Sequence, residues 1–129
     1  MSNGYSTDEQ YLSKLDYPYL LLLRIMKILD AIDHGRDAQS ETENLLAILK
    51  PNWIRSLKAE LEEKEAARDK LIEEHRKSYE SMGSATYHAQ LRAIHHGFAR
   101  WVVRRVIEIM DKNKMLLIEE RQIKEGGYL

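Results

Sequence analysis

The sequence predicts an all-α fold: a helical bundle in which a short-helix head carries a long antiparallel helical hairpin. Three observations predict it. Tyr87, Leu91, Ile94, Phe98, Val102, Val106 and Ile109 recur at steps of three and four, which draws one apolar stripe along a single long helix. Two prolines and six glycines in 129 residues are too few for a fold built from many turns. Gly35, Pro51 and Gly83 also fall between the apolar segments, and Pro18 stands at the start of one. The apolar set makes up 43% of the chain, enough for one core, so a single domain over residues 1–129 is expected.

The elements follow in order. Ser6 or Thr7 caps a short first helix, with Asp8 and Glu9 in its first turn. Pro18 suits the opening turn of a second helix over residues 17–33, and Gly35 stops it. Leu20 to Leu23, Ile25, Met26, Ile28, Leu29 and Ile32 cover most of that helix's girth. A helix so widely apolar is buried on several sides. After a polar linker, Ser40 and Glu43 stand at capping-box spacing and open a third helix over residues 40–49. Pro51 then steers the residue before it out of helical geometry.

A fourth helix is expected over residues 52–82 and a fifth over residues 84–111, with Gly83 as the turn between them. The stretch from Glu62 to Lys70 offers only Ala66 and Ala67 as apolar residues. It projects into solvent or packs closely on a partner through those alanines. Pairing the two helices around Gly83 sets seven acids between Glu60 and Glu74 against four arginines between Arg92 and Arg105. In that register Arg92 falls near Glu74, Arg100 near Glu65 and Arg104 near Glu62. Residues 115–125 read as a last helix or tail. The domain thus divides into a head (residues 1–50), a hairpin (52–111) and a C-terminal segment (112–129).

Composition excludes several functions. There is no cysteine, so no disulfide, thiolate metal site or cysteine nucleophile is present. A net charge of −1 excludes a protein held to polyanions by bulk charge. The apolar run at residues 17–32 is broken by Arg24, Lys27 and Asp30 and falls short of a bilayer span. No apolar targeting core opens the chain, and a cytoplasmic location is expected. No glycine-rich phosphate loop, nucleophile elbow or H-E-x-x-H is present, so no catalytic residue is assigned and no enzyme is expected. No cofactor is implied. His88, His95 and His96 lack helical ligand spacing, and no histidine has a glutamate three residues before it. No metal site is assigned, although His75 faces His88 or His95 across the hairpin, and Asp30 and His34 stand four apart.

Two functional readings remain. The first is a small helical interaction or assembly protein, a homo-oligomer whose interface uses Tyr17, Tyr19, Leu22, Ile25, Met26 and Leu29. Aromatic area of this kind anchors interfaces. The second is nucleic-acid binding through Arg92, Arg100, Arg104 and Arg105, which with His96 recur near steps of four beside Tyr87, Phe98 and Trp101. A variant of the second places Asn52, Arg55, Ser56 and Lys58 at the start of a recognition helix after Pro51. Without a nucleic acid, another protein is the remaining partner class.

Overall fold

The computed structural model describes residues 16–113 and 115. Five helices occur there, and no strand: α1 (Tyr17–Asp33), α2 (Gln39–Ala47), α3 (Pro51–Lys77), α4 (Tyr79–Met82) and α5 (Ser84–Lys112). The fold is all-α, as the sequence predicts. The expected first helix and the expected helix over residues 115–125 lie outside the described residues, apart from Met115, which packs against the core.

Local chemistry sets the boundaries. Asp16 is extended and Pro18 sits in the first turn of α1. At its other end Gly35 takes φ +65°, its N–H bonds the Ile32 carbonyl, and the Arg36 N–H reaches back to Ala31. This paired closure needs a left-handed residue, which glycine supplies without strain. α2 begins one residue before the capping-box reading. Ser40 lies inside the helix, and the Asp37 carboxylate accepts the Gln39 N–H at 2.9 Å instead. The predicted fourth helix is broken at Ser78. Its N–H bonds the carbonyl three residues back, at His75, and its hydroxyl donates to the Glu74 carbonyl. Such side-chain bonds compete with the helical ladder. Only the single turn α4 separates this break from Gly83, whose φ of +79° and ψ of 153° suit glycine alone.

The long helices lie antiparallel. Glu60 bonds Arg105, Lys64 sits over the Trp101 ring, Arg68 over Phe98, and Tyr79 against Tyr87. The core gathers at one end of this pair. Leu21, Ile25 and Ile28 of α1, Leu45 of α2 and Trp53 and Leu57 of α3 pack around Ala99, Val102, Val103, Val106 and Met110 of α5. From residue 58 to residue 95 nothing is buried. The molecule is therefore a helical head from which a two-helix arm projects.

Tyr17 ties the head to α3. Its hydroxyl donates to the Ile48 carbonyl and accepts from the Lys50 N–H, both at 2.9 Å. Its ring packs against Trp53 under the Lys50 ammonium. Burial pushes the Tyr17 phenol above its ordinary value, opposed in part by the Lys50 N–H bond.

Two predictions follow from this packing. Ile25→Ala lowers stability by about 2–5 kcal/mol, and the loss is independent of protein concentration in urea unfolding, because Ile25 fills the chain's own core. Tyr17→Phe costs about 1 kcal/mol. Tyr17 stays protonated longer in the folded than in the unfolded chain, so its contribution is complete below the ordinary tyrosine value near pH 10 and fades as pH rises through the folded value. Urea midpoints measured from pH 8 upward should therefore fall more steeply in the wild type than in Tyr17→Phe.

Candidate interaction surface

The six residues assigned from the sequence to an interface divide by burial. Leu22 and Ile25 are buried, and Tyr17 and Leu29 pack partly buried against the core. These four serve the chain's own packing, because α2 and α5 close over the face of α1 that the sequence left unpartnered. Tyr19 and Met26 remain on the surface, 44% and 39% exposed.

The arginines do not form one stripe. Each step of four residues drifts by about 40° around a helix, so Arg92 and Arg104 point about 120° apart. His96, between them, is buried, and its Nε2 donates to the Arg36 carbonyl at 2.6 Å. This bond fastens the α1–α2 linker onto α5. Arg105 is turned toward α3, where it bonds Glu60 at 3.0 Å and Glu108 at 3.1 Å. Arg92, Arg100 and Arg104 are exposed and make no ion pair among the described residues. The expected pairing of these three with Glu74, Glu65 and Glu62 is not formed. Lys64 and Arg68 instead cover the seam between the helices by lying over Trp101 and Phe98.

The second nucleic-acid surface fares no better as a unit. Trp53 is buried at the start of α3 and anchors it to the core. Asn52, Arg55 and Lys58 are exposed beside it, while the Ser56 hydroxyl donates to the Trp53 carbonyl. α3 continues unbroken for 27 residues, much longer than a recognition helix.

No group of three or more histidine and carboxylate side chains that could hold a metal ion occurs among the described residues. The Asp30 carboxylate bonds both His34 and the Arg36 guanidinium, which supplies the cation there. Near the arm's far end Arg76 grips Glu73 with two hydrogen bonds at 2.6 and 2.8 Å. Those bonds hold the Glu73 carboxyl below its usual range. No described helix is long and apolar enough to cross a membrane.

One concave feature lies on the arm. A groove of about 400 Å³ runs between α3 and α5, lined by Ala67, Leu71 and the cations Lys64 and Arg68 on the α3 side and by Ala93, Ile94, Gly97, Phe98 and Trp101 on the α5 side. Leu71 is 45% exposed at its rim, and Tyr79 is 41% exposed further out. The sequence reading found the alanines of α3 but not this groove. The available signal was the pair Ala93 and Gly97, one step of four apart on α5.

The contrast between neighbouring arginines is measurable. Arg105→Ala, which removes both ion pairs from a partly buried guanidinium, lowers stability by about 1 kcal/mol, whereas Arg104→Ala changes it by less than about 0.5 kcal/mol. Thermal or urea unfolding of the two variants side by side checks this.

No protein-family model matches the chain, and comparison with curated proteins and with solved structures gave no significant match.

Proposed function

We propose that this chain is a non-enzymatic helical assembly protein that works as a homo-oligomer, using apolar surface left outside its core. The observation that carries this reading is the arm. Two long helices run side by side with no buried residue from 58 to 95, yet the arm exposes Leu71 of α3 and Tyr79 of α4 at 45% and 41%. Isolated two-helix arms bury little on their own, and most helical stability in proteins comes from packing an apolar face. Tyr19 and Met26 add exposed apolar area on α1. A second copy of the chain supplies the missing packing.

Nucleic-acid binding is the second reading, favoured by the exposure of Arg100 and Arg104 without ion pairs among the described residues. Two adjacent guanidiniums can contact phosphates. Against it stand the exposed carboxylates of α3 and a net charge of −1.

Light-scattering mass on a size-exclusion column separates the two. Assembly through apolar faces gives at least two chains at about 0.15 M salt and keeps that mass at 1 M, where charge pairs are screened over about 3 Å. Polyanion binding gives a nucleic-acid absorbance that disappears as salt rises, and Arg100→Glu with Arg104→Glu removes it. A monomer free of nucleic acid at both salt concentrations overturns both readings.

A further inference from the structure

We infer that the arm groove binds a free, unbranched fatty carboxylate, with the carboxylate held by Lys64 and Arg68 and the tail laid along the apolar floor. Three observations carry it, and none depends on self-association.

The first is the charge of the groove. Lys64 and Arg68 are the charged residues that line it, and no carboxylate among the described residues does so. They stand one turn apart on α3, where like charges repel. Lys64 makes no ion pair among the described residues, and its ammonium lies 5.8 Å from the centre of the Trp101 ring. Arg68 bonds Asp69 through Nε, at 3.1 Å, and its guanidinium lies 4.7 Å from the centre of the Phe98 ring. Glu60, one turn before Lys64, is engaged by Arg105 of the other helix instead. Two cationic side chains are therefore neighbours on one wall, close enough to share a single carboxylate. Charge-assisted bonds of that kind are among the strong ones.

The second is the apolar length beside that pair. Lys64 is level with Trp101 and Arg68 with Phe98. From there the groove continues toward the far end of the arm between Leu71 on one side and Ala93 and Ile94 on the other, about 11 Å in all. Its volume of about 400 Å³ falls within the range of small-molecule sites, which are mostly apolar with a few placed polar groups. Nothing stands within 4 Å of where a Cβ on Gly97 would be, so the groove is open at mid-length. A tail lying there takes the exposed side of Leu71 out of water, which drives its binding.

The third is what the surroundings reject. The backbone N–H groups of both walls are bonded within their helices, so a phosphate finds no cluster of main-chain donors of the kind a helix N-terminus offers. Glu63 and Glu74 are exposed on α3 outside the groove, and the chain carries a net charge of −1. An extended polyanion meets those carboxylates, whereas one carboxylate seated at the cation pair does not. A neutral or cationic amphiphile leaves the two cations unpaired.

The test is calorimetric titration of the full chain with sodium decanoate, below its micelle concentration and at about 0.15 M salt. Tryptophan emission is followed in parallel. The chain has two tryptophans, and Trp53 is buried in the head, so the emission change should come from Trp101 and vanish in Trp101→Phe. Saturable binding is expected, with decanol and decyltrimethylammonium at least about tenfold weaker. Lys64→Gln and Arg68→Gln should each raise the dissociation constant about tenfold. Arg92→Gln, at an exposed position outside the groove, should change it by less than about twofold. Gly97→Leu fills the space of the tail and should abolish binding, with helicity by circular dichroism unchanged. Absence of saturable binding, equal affinity for decyltrimethylammonium, or indifference to Lys64→Gln overturns the site. Should Arg68→Gln or Gly97→Leu lose helicity, Lys64→Gln decides alone, because Lys64 is exposed. Light-scattering mass keeps this apart from self-association: a monomer that binds decanoate upholds the site and overturns the oligomer.

Discussion

The buried half of α5 is the constraint on which everything else depends. Ala99, Val102, Val103, Val106 and Met110 are almost wholly removed from water, and each other helix of the head packs against that segment or a neighbour of it. β-branched residues are stiff and interlock well once ordered, so these valines define one arrangement rather than several. The same helix extends beyond the head, and its first half has no such environment. One continuous element is thus the spine of a core and one rail of a projecting arm. A helix propagates cheaply once nucleated, which lets the buried half impose order on the exposed half.

Polar bonds fix how the head closes on this spine. The Tyr17 hydroxyl spans the α2–α3 turn by bonding Ile48 and Lys50, and His96 holds the α1–α2 linker through the Arg36 carbonyl. Each satisfies backbone groups where helix ends would otherwise leave them open. In both cases an aromatic or imidazole ring also contributes apolar contact, so one side chain sets both distance and angle.

Charge does different work along the arm. Arg105 meets Glu60 across the helix seam because it lies on the side of α5 turned toward α3. Arg104 is the next residue toward the N-terminus, about 100° around the helix, and it meets solvent. Lys64 and Arg68 pair with aromatic faces rather than with carboxylates, which shields Trp101 and Phe98 where a third helix would otherwise be needed. The seam is closed by cations lying over rings.

The sequence by itself determined the all-α class and the order and reversal of the two long helices, because period, proline and glycine are local signals, but not the break at Ser78 or the pairing across the seam. Gly83 between two long apolar-periodic segments requires a reversal, and opposed levels along a helix pair follow from a fixed rise per residue. It also determined that α1 is mostly buried. Only the tertiary structure decided what buries it, assigning Leu22 and Ile25 to the chain's own packing and leaving Tyr19 and Met26 outside. It likewise separated Arg105 from Arg104 and exposed the groove beside Gly97. A step of four residues looks like one face in a list of residues, yet over three steps it turns through about 120°. Which part of that arc meets a neighbour depends on where the other helices lie, and that position is fixed by packing rather than by local sequence.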